Sequence, residues 1–453
     1  MQLVAYGAQD IYLTGNPQIT FFKVVYRRHT SFSMESIEQT FNGSADFGKK
    51  VTSTISRNGD LIHKTYLQVV LPSVTVPKQS PSSTERNGFR WLNWVGHILV
   101  KTCELEIGGQ RIDKHYAAWL HIWNELTQTP GHALGYANMV GNVPELTSLK
   151  EATTTDVVVP GKTLYIPLQF FYCRNPGLAL PLIALQYHEV KINVELAPVE
   201  DCYWSGVAAD STSAYATDMS IARPGSLAQC SLWVDFIYLD TSERRRFAQV
   251  SHEYLIDQLQ FTGDESTTGS NFKAKLNFNH PVKEIIWVVQ PNNHATENSS
   301  SAYGKQWFNF TDADDSRNNS DVVLQQLSGS GGTIPTGENP VMRAKIQLNG
   351  HDRFAERSGS YFNLVQPYQH HTNVPSKGIN VYSFALMPEE HQASGTCNMS
   401  RIDNATLQLS LTDATVANGA RVKVFAVNYN VLRIMSGMGG LSYNIISNRT
   451  III

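Results

Sequence analysis

The sequence predicts an all-β protein made of two antiparallel sandwiches or jelly rolls in tandem. Three observations carry this. Apolar and polar residues alternate with a period of two in many short runs, turn residues bound most of those runs, and similar runs return in the same order later in the chain. Period-two alternation puts successive side chains on opposite faces of a strand, one on a core and one outward. Short strands separated by Gly, Pro and Asn turns are the pattern of sandwiches and rolls.

The strands are legible one by one. CELEI at 103–107 and VKINVEL at 190–196 alternate strictly, as do KAKLNF at 273–278, AKIQL at 344–348 and ATLQLSL at 405–411. Gly108-Gly109, Asn279-His280-Pro281 and Asn349-Gly350 bound them. One helix interrupts the strands: Trp119, Ile122, Trp123 and Leu126 follow the spacing of one helical face, and Pro130-Gly131 is expected to end it.

The runs repeat in register. YLQVVLP at 66–72 resembles IIWVVQP at 285–291, an offset of 219. CELEIGG at 103–109 resembles AKIQLNG at 344–350 (offset 241), YIPLQF at 165–170 resembles YSFALM at 382–387 (offset 217), and VKINVEL resembles ATLQLSL (offset 215). Four collinear matches predict a duplicated domain, divided as 1–240 and 241–453. The offset grows where the second half carries an extra loop, near 292–340, and shrinks where the first half carries the helical segment near 117–163. The 292–340 loop is polar, with Ser and Gly runs, the composition of an exposed connection.

Composition narrows the function. Of 453 residues, 42% are hydrophobic and only 17% charged, with a net charge of −3. Disorder is excluded, because it needs high charge and few aromatics. So is general attraction for nucleic acid phosphates. Arg244-Arg245-Arg246 is expected to be a solvated surface. A large, weakly charged chain tends to associate. No apolar run approaches the roughly 18 residues that span a bilayer, and the first residues lack the pattern of a secretory signal. Five scattered cysteines, without a C-x-x-C pair, predict reduced thiols.

Catalytic patterns are incomplete. Gly161-Lys162-Thr163 lacks the upstream Gly of a phosphate loop, since position 156 is Asp156, and it leads into a strand. Asp312 to Val323 begins like a calcium loop but has Arg317 and Val323 where Gly and Glu are needed. His188-Glu189 and His252-Glu253 lack the second His of a zinc-protease helix. His370-His371 could chelate a metal, but a solvated turn is the expected reading. No carboxylate pair or G-x-S-x-G elbow can be picked out. Seven N-x-S/T sequons occur, and Asn298, Asn309 and Asn318 in the 292–340 loop are the candidates for glycosylation.

Longer stretches carry a specific likeness. They are GNPQITFFKVVYRRHTSFSMESIEQTFNG at 15–43, ISRNGDLI at 55–62, ELEIGGQRIDKHY at 104–116, PGLALPLIALQYHEVKI at 176–192 and LDTSERRRFA at 239–248. The second half adds IQLNGHDRF at 346–354, SGTCNMSRIDNATL at 394–407 and NYNVLRIMSGMGGL at 428–441. From Gln2 to Tyr443 the chain resembles the major capsid protein of nucleocytoplasmic large DNA viruses, of the phycodnavirus, marseillevirus and iridovirus type.

The resemblance implies two consecutive eight-stranded jelly rolls with long inter-strand loops, and a structural role without enzyme activity or cofactor. It implies homotrimers of pseudo-hexagonal outline that tile an icosahedral shell, with minor capsid and penton proteins as further partners. An internal viral membrane lies nearby but is not spanned, and no nucleic acid is contacted directly. Assembly is expected in the host cytoplasm. On this reading 117–163 and 292–340 are outward towers, and the segment Pro17 to Thr30 faces inward, with Phe21, Phe22, Tyr26, Arg27 and Arg28 as candidate inner contacts; Phe21, Phe22 and Tyr26 read equally well as the core face of a first strand. The alternative is a carbohydrate-binding β-sandwich on the virion surface, with Trp91 and Trp94 as its aromatic platform. A metal-dependent jelly-roll enzyme would need a clustered His/Glu set, which the sequence does not show.

Overall fold

The computed structural model describes residues 31–79, 84–209, 215–295, 304–313 and 337–442. Sixteen strands form the main paths of the sheets of the two rolls, and four short strands pair beside them. The first roll has β1 (Phe32–Gln39), β2 (Lys50–Thr54), β3 (Leu61–Val70), β4 (Val100–Ile107), β5 (Gln110–Tyr116), β6 (Thr163–Pro167), β7 (Val190–Leu196) and β8 (Gln229–Leu239). The second has β9 (His252–Thr267), β10 (Asn271–Lys275), β11 (Pro281–Pro291), β12 (Val341–Leu348), β13 (His351–Asp352), β14 (Ile379–Ser383), β15 (Ala405–Leu411) and β16 (Ala420–Met435).

The sheets of the first roll run β1-β8-β3-β6 and β2-β7-β4-β5. Those of the second run β9-β16-β11-β14 and β10-β15-β12-β13. Each strand of the second roll thus stands where its counterpart eight places earlier stands in the first. All named pairings are antiparallel, as jelly rolls require.

The four sequence repeats fall on equivalent strands, but two of them are out of register. Cys103 and Ala344 both face their own roll's core, as do Ile192 and Leu407, so those matches keep the side-chain face. The match of YLQVVLP with IIWVVQP instead pairs Leu67, in the first core, with Ile286, which points away from the second core. Likewise Tyr165 is exposed while Tyr382 packs on the second core. A one-residue slip flips every side chain to the other face. It went unseen because β11 is buried on both faces, so its apolar run has no alternation to fix the register.

The hairpins obey local rules. Gly108 and Gly109, between β4 and β5, have φ of 59° and 83°. Asn349 and Gly350 do the same between β12 and β13, at 51° and 81°. Positive φ at both central positions is what a tight two-residue hairpin turn demands, hence Gly and Asn there.

The helical insertion differs from expectation. Helix α1 (Ala117–Thr127) ends before Pro130, but Pro130 opens a second helix, α2 (Pro130–Val140), at its first position. Proline cannot continue a helix yet is preformed for starting one. The first roll also sends out excursions, described at 71–79, 84–99, 197–209 and 215–228, which join 117–162 in a small sheet of Ala216–Thr217, Tyr203–Ala208, Arg86–Trp91 and Lys150–Ala152. Helix α3 (Thr241–Gln249) links the rolls and carries Arg244, Arg245 and Arg246 on an exposed surface, as expected.

Candidate functional site

Each roll has a core between its two sheets, and the first core also takes in Ile256 of β9 and Leu432 and Ile434 of β16. A third apolar cluster lies between the rolls. Trp119, Ile122, Trp123 and Leu126, one face of α1, pack against Ile286 and Val288 of β11, Phe425 and Val427 of β16, Ile379 and Val381 of β14, and Leu259 of β9. The helix was expected in an outward tower. It is instead a wedge, with Trp119 fully buried against the outer sheet face of the second roll. Burying one such side chain contributes roughly 1.5–3 kcal/mol, so the seam is a substantial part of the fold.

Beside the wedge the seam is polar. The Leu259 amide donates to Asp113 Oδ1 at 3.1 Å, and Gln258 Nε2 donates to the Ile112 carbonyl. Asn430 donates to Gln258 Oε1 at 2.8 Å and Gln260 to Asn428 Oδ1 at 3.0 Å. The buried Lys283 ammonium sits 2.9 Å from Asp257, which also lies 3.9 Å from Arg174. Arg174 in turn covers the Trp123 ring at 3.9 Å. Burial works against the Arg174 charge, and Asp257, Asp113 and Glu284 offset it. Where these strands diverge an open cleft of about 1160 Å³ remains, lined by Arg111, Lys114, Phe261 and Lys275 among others.

His371 was expected in a solvated turn, and the structure corrects this. Its side chain has no exposure and lies between two carboxylates, 2.9 Å from Glu284 and 2.8 Å from Glu389. Burial alone would lower its pKa. Glu284 and Glu389 outweigh burial and hold it at about 9. The imidazole is therefore a buried cation that neutralises the fully buried Glu284 on β11. Sequence reasoning missed it because Glu284 lies 87 positions away and its burial depends on the seam.

The described part of the 292–340 loop is a strap to the first roll. Lys305 pairs with Asp201 at 2.6 Å, and Trp307 Nε1 donates to the Asp201 carbonyl at 2.9 Å. Phe308 stacks on His121 at 4.5 Å, and His97 hydrogen-bonds Tyr136 at 2.8 Å in the same cluster. Burial lowers the pKa of His97 to about 3 and takes His121 well below its usual range. Asp312, the first residue of the incomplete calcium loop, instead accepts from the Glu338 amide at 2.7 Å.

Other candidates have clear places. Asn309 is half-buried with its amide engaged: Nδ2 donates to Gln306 Oε1 and the Ala313 carbonyl, and Oδ1 accepts from Thr311. Asn298, Asn318, Phe21, Phe22, Tyr26, Arg27 and Arg28 lie outside the described residues. The sugar platform is not formed, because Trp91 is fully buried and Trp94 stacks on His97 at 5.5 Å. Among the described residues no three His, Cys, Asp or Glu side chains gather as a metal set, and no helix is long and apolar enough to cross a membrane.

Among the described residues an apolar helical surface and an aromatic patch stay at least partly open. On the second roll Leu364, Val365 and Tyr368, from the helical stretch 361–370, lie exposed near Leu386 and Met387. On the first roll the outer face of β1-β8-β3-β6 carries Tyr66, stacked on Trp233 at 6.3 Å and meeting Tyr165 edge-on at 6.1 Å.

A chain with duplicated rolls, a stitched seam and open apolar faces is built to be a subunit, and comparison says of what. The family described as "Major capsid protein N-terminus" matches residues 20–240, and "Large eukaryotic DNA virus major capsid protein" matches 243–440. The chain belongs to the large eukaryotic DNA virus major capsid protein family. It is 53% identical to the major capsid protein of Phaeocystis pouchetii virus, across 98% of this chain and 99% of that one. It is 44% identical to that of Paramecium bursaria Chlorella virus 1, across 98% of both. The crystal structure of VP54 from PBCV-1 superposes with a TM-score of 0.69 at 39% identity, covering 94% of this chain and all of the other. The Faustovirus major capsid protein shares the fold, with a TM-score of 0.73 at 14% identity over 95% and 94% of the two chains. The double jelly roll implied by the sequence is the fold found. The relatives are major capsid proteins, and a structural role in a virion capsid accounts for the seam and faces.

Proposed function

We propose that three copies of this major capsid protein close into a capsomer of pseudo-hexagonal outline, and that many capsomers tile an icosahedral shell. The strand order carries the reading. Two rolls whose main sheets share one strand order give a three-copy ring six nearly equivalent bodies. Weak charge supports it as well, since a subunit packed against itself on several sides would be hindered by a strong like-signed surface. Contacts between capsomers can be individually weak, because a closed shell engages many at once.

In this scheme the chain divides as 1–240 and 241–453. The segment with Phe21, Phe22, Tyr26, Arg27 and Arg28 faces inward toward minor capsid proteins, and penton proteins fill the fivefold positions. The shell assembles in the host cytoplasm above a membrane the chain does not cross, without direct nucleic acid contact. Sugar, if added, is placed on Asn298 or Asn318 before Asn309, whose amide is already engaged. Native mass with electron microscopy of the purified protein tests the reading. A particle of three 50.5 kDa chains with hexagonal outline is expected, and a monomer at high concentration would refute it.

A further inference from the structure

The chain contains one complete copy of a roll-to-roll contact. The first roll's connection between β5 and β6 provides α1, and the second roll's outer face of β9-β16-β11-β14 receives it. Because the two rolls have the same strand order, each owns both halves of such a contact. The second roll has its own helical connection, residues 361–370 between β13 and β14. The first roll has its own outer face, β1-β8-β3-β6. Within one chain these two halves do not meet.

The helical half is apolar, and the first-roll half is an aromatic patch with Ser36, Glu38, Gln68 and Ser231 around it. In the 361–370 stretch Phe362 is buried in the second core and Asn363 is held by the carbonyls of Ser376 and Ile379. The opposite side of the stretch is bare: Leu364 is 51% exposed and Tyr368 80%, with Leu386 beside them at 72%. On the first roll, Tyr66, Trp233 and Tyr165 sit on the outer side of the same three strand positions that bury Ile286, Phe425 and Val381 in the second. Tyr165 is exposed, while Tyr66 and Trp233 are half-buried, with the Ser36 hydroxyl 3.4 Å from that of Tyr66. Isolated exposed aromatics need no explanation, but a contiguous set at a position buried in the sister roll does.

We propose that a second copy of this chain fills the gap: its first-roll face of Tyr66, Tyr165 and Trp233 seats the 361–370 helix of its neighbour, with Leu364, Tyr368 and Leu386 as the apolar knobs. This contact repeats the seam inside the chain. It is heterologous, so copies add head to tail and the ring closes when the rotation per copy divides the circle. With intra-chain and inter-chain seams equivalent, each roll meets its neighbours alike. The inference rests on the trimer reading above and names the surfaces that make it.

Two experiments test it on the full-length protein. Tyr368→Asp combined with Leu386→Asp, and separately Tyr165→Asp, place charge in an apolar contact from its two sides. All three positions are exposed, so circular dichroism should match the parent, while native mass shifts from trimer to monomer with at least tenfold weaker association. The second experiment pairs Tyr368→Cys with Tyr165→Cys and adds a short bis-maleimide. A covalent trimer on a denaturing gel is expected from the double variant, and no ladder from either single variant. Trimers that survive the aspartates, together with an unlinked double variant, would overturn this docking while leaving the capsomer intact. A parent protein that is itself monomeric would sink the capsomer reading and this inference with it.

Discussion

His371 makes the fold sensitive to alkali in a calculable way. Its pKa is about 9 in the folded protein, against 6.5 for the free group. One unit corresponds to about 1.4 kcal/mol, so the imidazolium contributes about 3 kcal/mol. The side chain has no solvent exposure, so screening does not reduce this figure much. A raised histidine pKa stabilises fully below 6.5, and the contribution fades as pH climbs through 9, because only the folded state holds the proton in that window. Urea melts of the full-length protein at fixed concentration, from pH 6 to pH 10, give the profile directly. His371→Gln removes the proton and strands Glu284, so it should lose about 3–5 kcal/mol at neutral pH and flatten the profile between 6.5 and 9. Glu284→Gln with His371→Gln should recover part of that loss, since neither partner is then left charged. Parent and His371→Gln profiles of the same shape would refute the argument that this pair holds the proton.

Other perturbations address the seam and the strap. Trp119→Ala should destabilise by about 3–5 kcal/mol and raise hydrogen exchange in β11 and β14, read by mass spectrometry; unchanged exchange there would deny the wedge. His97 and His121 are neutral in the fold, so the unfolded chain binds more protons below pH 6.5, and stability should fall as pH drops from 6.5 to 5. His97→Asn should shrink that fall, as measured by thermal melts. Gly378 has φ of 95°, and a Cβ there would lie 1.9 Å from the Phe310 carbonyl oxygen. Gly378→Ala should therefore loosen the strap and cost well over 1–3 kcal/mol. Gly350→Ala, at φ 81° with nothing within 4 Å, should cost only about 1–2 kcal/mol. Equal losses would show that steric contact is not what matters.

What could be read from the sequence follows from where the information lies. Strands with one face outward, such as β7 and β15, declared themselves by alternation, and so did the duplication. The tight hairpin at Gly108-Gly109 and its counterpart at Asn349-Gly350 were visible in their turn residues. What stayed hidden depends on contacts between distant segments. Nothing local in Trp119-Leu120-His121-Ile122 says which sheet the apolar stripe will meet. The doubly buried face of β11 erased the alternation that would have fixed the repeat register. His370-His371 looks like a solvated pair until Glu284 is brought alongside from another strand. The open faces were equally silent, because Tyr66, Tyr165 and Trp233 come together only once β3, β6 and β8 are paired.

The doubly covered β11 also sets an order of events during synthesis. The ribosome releases the first roll, with α1, before any of β9 to β16 exists. When β11 and β16 emerge they can fold directly onto a finished hydrophobic wall. A chain permuted so that the second roll came first would expose Ile286, Val288, Phe425 and Val427 for as long as translation of the first roll took. Unpaired apolar strands in that state are what drives nascent chains to aggregate. The present order of the two rolls lets that surface be covered as it appears.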